Sequence, residues 1–327
     1  MKVLVIGAAG MVGRKVVTEL LAIGKVGDRD ITSLTLADVV APIAPETPLA
    51  VTTMAVDLSA PEVATDLVAG RPDLIFHLAA IVSGEAEADF EKGYRINLDG
   101  TRHLLEAIRL ASQSAPYRPR LIFTSSIAVF GEPLPGVISD SHEHTPLTSY
   151  GTQKAICELL LADYSRRGFV DGVGIRLPTI AVRPGKPNKA ASGFFSGIIR
   201  EPLAGQEALL PVADTVRHWF ASPRAAVGFL LHAAAMDTAL LGNQRNLSMP
   251  GLAATVGEQI AALERVAGPK AVALIRRQPD PTIADIVAGW PQAFEASRAK
   301  ALGFTGEASF DEIIRIYIED ELGGRIG

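Results

Sequence analysis

Lys2-Val3-Leu4-Val5-Ile6-Gly7-Ala8-Ala9-Gly10-Met11-Val12-Gly13 decides how this chain is read. The unbroken apolar run up to Ile6 is the pattern of a strand buried on both faces, as in a parallel sheet. Glycines then recur at every third position, and the run from Arg14 to Leu21 predicts a helix. In a strand–turn–helix each glycine has its own use. Gly7 permits the tight turn, Gly10 lets backbone approach a pyrophosphate, and Gly13 lets the helix pack close to the strand. Met11 and Val12, within the turn, are expected to contact the cofactor, whose pyrophosphate would rest on the helix N-terminus, where free N–H groups and the dipole suit an anion.

Working outward, Ser33–Asp38 reads as a second strand. An acidic side chain at its end accepts hydrogen bonds from ribose hydroxyls and repels a 2′-phosphate, so Asp38 favours NAD over NADP. Asp57 and Leu58 follow a third short strand, within expected reach of the adenine. Asp73–His77 is a fourth strand. The small residues after it, in Leu78-Ala79-Ala80, let backbone lie along the cofactor, and His77 is expected to pack between elements. One long helix is expected from about Ala86 to Ala111, carrying Asn97. A fifth strand, Arg120–Thr124, ends in Ser125-Ser126, and Gly172–Leu177 closes the series. Strands alternating with helices at this interval predict an α/β fold, a Rossmann-type doubly wound parallel sheet over residues 1–178. A return segment is expected near 224–240. From 179 to 327 the texture changes. A stretch rich in proline and cations, Arg183–Lys189, precedes helices led by two capping boxes, Thr255-x-x-Glu258 and Ser309-x-x-Glu312. These residues are expected to form a smaller substrate-binding domain roofing the crevice.

Tyr150 and Lys154 stand four residues apart at the start of an apolar helical run, so both lie on one helix face. A free phenol titrates near ~10, too high for a base at neutral pH, and an ammonium one turn away favours the phenolate. The pair makes a proton acceptor for an alcohol under oxidation. Alone, this spacing is more often a packing ring beside a solvated cation. Ser126, Tyr150, Ala79 and Gly10 all fall near strand carboxyl ends, where ligands of such sheets bind, and that convergence raises the pair above the bland reading.

The chain has 327 residues, 48% of them hydrophobic, and a net charge of −5. It can bury a sizeable core, and no basic block marks it for nucleic acid. The single cysteine, Cys157, excludes an internal disulfide, fits a reducing cytoplasmic compartment, and is expected as a buried thiol. No apolar run reaches the ~20 residues that span a bilayer. His142 and His144 lack a metal-site spacing, so no metal is expected.

Taken together, these motifs resemble the extended short-chain dehydrogenase/reductase family, which includes nucleotide-sugar epimerases. The matching segments are Gly7-x-x-Gly10-x-x-Gly13, His77-Leu78-Ala79-Ala80, Asn97-x-x-Gly100-Thr101, Thr124-Ser125-Ser126-x-x-Val129-Phe130-Gly131 and Tyr150-x-x-x-Lys154. The resemblance implies NAD as cofactor, held also by Ser125, Tyr150 and Lys154. It implies Tyr150 as general base, Ser126 on the substrate oxygen, and Lys154 on the nicotinamide ribose. Asn97 is expected to hold a water that links Lys154 to solvent. The stretches Leu78–Glu87, Tyr150–Ala155, Arg183–Ser192 and Arg217–Trp219 resemble a branch of the family that oxidises the C2 hydroxyl of a four-carbon sugar acid. Nucleotide-sugar epimerases carry an Asn three residues after the arginine of the strand matching Gly172–Leu177. Here Thr179 stands there. Candidate substrate contacts are Ser83, Ser126, Thr179, Asn188, Lys189 and Arg217, the cations and amide being suited to a carboxylate. His218 is expected as structural. The expected partner is a small-molecule sugar acid, with neither nucleic acid nor membrane, and the family implies a homodimer.

Overall fold

The computed structural model describes residues 1–185 and 191–326. They fall into two compact units. One comprises Met1–Val129, Thr148–Arg176 and Val227–Leu247, and the other comprises Phe130–Leu147, Leu177–Ala226 and the chain from Ser248. The segment 130–147, expected with the nucleotide-binding domain, is thus counted with the second unit. A return segment runs Val227–Leu247, where one is expected near 224–240.

The first unit contains β1 (Lys2–Ile6), α1 (Met11–Ile23), β2 (Ser33–Asp38), β3 (Ala50–Ala55) and α2 (Pro61–Ala69). It continues through β4 (Leu74–His77), α3 (Ser83–Ala88), α4 (Phe90–Gly93), α5 (Gly100–Ser114) and β5 (Arg120–Ser126). It ends with α6 (Ser149–Arg166), β6 (Asp171–Leu177) and the edge strand β7 (Asn246–Ser248). The sheet order is β3-β2-β1-β4-β5-β6-β7, and the pairs from β3 through β5 are parallel. The order reverses between β1 and β4, which is where such sheets open a crevice. Registers Ile6–His77 and His77–Phe123 bring Gly7, Leu78 and Thr124 side by side at the carboxyl edge. Leu4, Ile6, Leu104, Ile108, Phe123 and Leu161 lock strands to helices in one apolar core. Fully burying each such side chain is worth about 1.5–3 kcal/mol. A short hairpin, Lys25–Val26 against Arg29–Asp30, precedes β2 and has no strong sequence signal.

The single long helix expected over 86–111 is broken. Asp89 leaves the helical region (φ −130, ψ 89) and its carboxylate accepts the Lys92 N–H at 3.0 Å. Asp favours such caps because its side chain competes for backbone donors. A π-helical turn, Tyr94–Asp99, then leads into α5. Wide turns of this kind recur at functional positions.

In the second unit, Arg217–Ala221 pairs antiparallel with Leu252–Thr255 and parallel with Thr179–Ile180. Helices Gly193–Leu203, Val256–Ala267 and Phe310–Leu322 enclose a core that includes Phe195, Phe220, Leu263 and Ile314. Thr255 and Glu258 form the reciprocal capping box that their spacing predicts. At the other expected box only half forms. Ser309 accepts the Glu312 N–H, but the Glu312 carboxylate takes the Ala308 N–H instead. No helix among the described residues is long and apolar enough to cross a membrane.

Candidate active site

The β1–α1 turn follows from its glycines. Gly7 has φ +91, and a Cβ there would lie 2.7 Å from the Ala79 nitrogen. At Gly13 a Cβ would run into the Gly7 carbonyl oxygen. At Gly10 a Cβ would meet only that carbonyl oxygen within 4 Å, at 3.3 Å. Backbone is therefore packed tightly beneath the turn and left open above it. Gly10 is the α1 N-cap and supplies no side-chain cap, so the first N–H groups of α1 stay available to an anion. Asp38 at the end of β2 accepts the Ala9 N–H through Oδ2 at 2.9 Å, which fixes the turn. Its Oδ1 has only a long contact, 3.5 Å, from Val40 N–H. This cradle fits a dinucleotide: an uncapped helix start for the pyrophosphate, and a carboxylate oxygen for a ribose. Replacing Gly13 by Ala forces the turn apart. Chemical denaturation should show a loss of about 1–3 kcal/mol, with NAD affinity falling alongside.

Two expected adenine-side residues are partly committed elsewhere. Asp57 accepts from the Ser59 N–H (2.9 Å) and pairs with Arg95 (3.1 Å). Leu58 is buried and lies against Gly100. Leu78, Ala79 and Ala80 follow β4 and remain partly accessible, as do Met11 and Val12. His77 Nε2 lies 2.9 Å from Thr101 Oγ1. Burial pulls its pKa down to about 3 and the nearby Lys154 adds to this, so His77 is a neutral packing residue.

Helix α6 is capped by Thr148, whose hydroxyl accepts the Gly151 N–H at 3.0 Å. It turns Gln153, Lys154, Cys157, Glu158 and Leu161 inward at the 3.6-residue period. Tyr150 is half-buried and hydrogen-bonded to Ser126 at the end of β5. Desolvation pushes its phenol up to about 12, and the Ser126 bond pulls it partly back. Lys154 is 2% exposed, donates to the Thr124 carbonyl at 2.8 Å, and sits 5.7 Å from the Tyr150 ring centre. Burial lowers it to about 8, with Cys157 and Glu158 opposing. The Ser126 hydroxyl also accepts the Ala128 N–H at 3.1 Å, which fixes its rotamer. Ser126, Tyr150 and Lys154 thus come together as the sequence predicts.

Two neighbours differ from expectation. Ser125, expected to touch cofactor, donates its hydroxyl to Glu158 at 2.5 Å, so that hydroxyl is committed inside the fold. Asn97, expected to hold a water, is committed too. Its Oδ1 accepts the Ile81 N–H (2.9 Å), and its Nδ2 donates to the Ile81 carbonyl (3.2 Å) and to Gln153 Oε1 (2.8 Å). Its carbonyl takes the Thr101 hydroxyl at 2.7 Å and the Cys157 thiol at 3.4 Å. The π-helical turn makes Asn97 a tie to the segment after β4, with both Nδ2 hydrogens already used inside the protein. Cys157 is fully buried, as expected, and desolvation raises it to about 11.

Sequence reading missed Glu158, which is 0% exposed and paired with Arg176 at 2.7 Å. The signal was an acidic residue at i+8 from Tyr150, inside the apolar stripe. Of the expected substrate contacts, Ser83 begins α3 and is partly accessible. In the second unit the Thr179 hydroxyl bonds His218 Nε2 at 2.6 Å, while His218 Nδ1 faces the Pro291 carbonyl at 2.9 Å. A carbonyl only accepts, so Nδ1 carries the proton and Thr179 donates to Nε2. Burial holds His218 near 4, and it is a structural residue. Arg217 bonds the Ala253 carbonyl (3.3 Å) and pairs with Glu258 (3.4 Å). Asn188 and Lys189 lie outside the described residues. Among the described residues no cluster could hold a metal.

Residues 3–243 match the model of the NAD dependent epimerase/dehydratase family. The chain belongs to that family. It is an enzyme, and its cofactor is NAD. It is 48% identical over 324 residues to D-erythronate dehydrogenase of Cupriavidus necator, covering 98% of each chain. It is 42% identical to D-erythronate dehydrogenase of Haemophilus influenzae, over 98% of this chain and 100% of that one. Among solved structures, the crystal structure described as the nucleoside-diphosphate-sugar epimerase from Agrobacterium tumefaciens superposes with TM-score 0.98. It is 64% identical and covers 100% of this chain and 96% of that one.

Proposed function

We propose that this protein oxidises the C2 hydroxyl of D-erythronate, a four-carbon sugar acid, to 2-oxo-tetronate. The observation that carries the reading is the 48% and 42% identity, over 98% of this chain, to two D-erythronate dehydrogenases, on a chain whose Ser126, Tyr150 and Lys154 meet at one strand end. NAD, when bound, supplies the hydride acceptor and a cationic ring. Tyr150 takes the hydroxyl proton as phenolate. Ser126 holds the same oxygen within hydrogen-bond reach, as a positioned base requires. Lys154 stays cationic below about 8 and favours the phenolate. Asp38 selects the unphosphorylated ribose. Replacing it by Ser should lower the preference for NAD over NADP by about tenfold or more, read as a ratio of kcat/KM values.

A nucleotide-sugar epimerase is the second reading, favoured by the description of the Agrobacterium structure. Thr179 weighs against it, since this hydroxyl is committed to His218 where epimerases present an amide. Net turnover separates the two. Purified protein with NAD and D-erythronate should accumulate NADH stoichiometrically with acid consumed. No NADH with any four-carbon acid, together with conversion of a UDP-sugar, would establish the epimerase instead.

We also propose a cytoplasmic homodimer. Phe90, Leu110 and Leu159, on α4, α5 and α6, are 59%, 48% and 66% exposed, an unusual apolar display for surface helices. Elution as a monomer at micromolar concentration would refute the dimer.

A further inference from the structure

Gln153 lies between the two residues of the Tyr150–Lys154 pair and is 0% exposed. Its Oε1 accepts from Asn97 Nδ2 at 2.8 Å. Its Nε2 is buried and has no partner among the described residues. An unpaired buried amide nitrogen costs free energy that an apolar side chain of the same length would not. Packing alone therefore does not explain a glutamine here, whereas its oxygen has a definite effect.

That effect concerns the Asn97 amide, which can face two ways. In one, Oδ1 meets the Ile81 N–H and Nδ2 meets the Ile81 carbonyl. In the other, donor would face donor and acceptor would face acceptor. The Ile81 backbone selects the first arrangement, and Gln153 Oε1, by accepting the second Nδ2 hydrogen, ties that amide to α6. Gly93 leaves the room for it, since a Cβ there would stand 2.7 Å from Gln153 Nε2 and 3.2 Å from Ala86.

We propose that Gln153 is a positioning residue for the cofactor. Through Asn97 it fixes both polar groups of Ile81, and so holds the Leu78–Ile81 segment in register with the helix that carries the proton acceptor. Ser83 begins α3 two residues further on and is set by the same tie. The inference rests on NAD lying along Leu78–Ala80, and its test does not require D-erythronate to be the substrate.

The test is calorimetric titration of NAD into wild type, Gln153→Met and Gly93→Ala, with thermal melts of each. Gln153→Met keeps the length and removes the oxygen. Gly93→Ala crowds the Gln153 amide nitrogen and so shifts the same amide from the other side. Both should bind NAD about tenfold more weakly, the scale of one lost buried hydrogen bond. Gln153→Met removes one unpaired amide nitrogen but strands the second Asn97 Nδ2 hydrogen, so its melting temperature should stay close to that of wild type. NAD affinity within twofold of wild type in Gln153→Met, with a lowered melting temperature, would show a packing role only and overturn the proposal. If acid oxidation is absent in wild type while the affinity pattern holds, the substrate reading fails and this inference stands.

Discussion

Tyr150→Phe should lower kcat by about a thousandfold while leaving NAD affinity within a few-fold of wild type. The substitution removes one oxygen from a ring that α6 holds in place, so the loss reads proton transfer rather than folding. Positioned acid–base groups typically contribute 10²–10⁴-fold, which places about a thousandfold mid-range. The environment sets the pH dependence. Desolvation raises the phenol to about 12, so the reactive phenolate is a minority species at neutral pH. kcat/KM should therefore rise with pH, close to tenfold per unit up to about 8 and less steeply above it, where Lys154 loses its charge. Removing the cation in Lys154→Met disfavours the phenolate further and should displace that rise to higher pH. A flat profile from pH 6 to 9, with chemistry rate-limiting, would refute Tyr150 as the proton acceptor. So would a Tyr150→Phe protein that kept most of its turnover.

Glu158→Ala should cost about 3–5 kcal/mol of stability, the usual consequence of stranding one partner of a buried ion pair. Glu158 takes Arg176 Nε at 2.9 and 3.1 Å and Nη2 at 2.7 Å, and receives the Ser125 hydroxyl. Its loss leaves a guanidinium under the sheet and frees the end of β5 that carries Ser126. Chemical denaturation should show the midpoint falling steeply, with kcat falling in the surviving folded fraction. Glu158→Gln keeps hydrogen-bond acceptance and loses the charge, so its cost should be smaller. Equal stability of Glu158→Ala and wild type would show that the pair is neutral in the folding balance.

The contrast between these two residues shows how legible the chain is. Tyr150, Lys154 and Ser126 were readable because their chemistry needs few residue types, placed at strand ends or at helical spacing. Gly7, Gly10 and Gly13 were readable because each answers a backbone demand within seven residues. The contacts of Asn97 were not legible, since sequence carries no sign that the helix opens into a π turn and delivers the amide to Ile81. The partner of the Ser125 hydroxyl was hidden for a related reason. Nothing adjacent in sequence announces that its hydroxyl belongs to a carboxylate 33 residues away.

By itself, the sequence determined the doubly wound sheet, the dinucleotide cradle and the helix that carries Tyr150 and Lys154 on one face, because local period and backbone sterics act over a few residues. Only the tertiary structure decided who partners whom. It joined Ser125 to Glu158, turned Asn97 into a tie, gave Thr179 to His218, and set Gln153 Oε1 against the Asn97 amide. Hydrogen-bond partners inside a folded chain are fixed by the register of strands and helices far apart in sequence. A buried polar group must take whichever partner that register brings within about 3 Å.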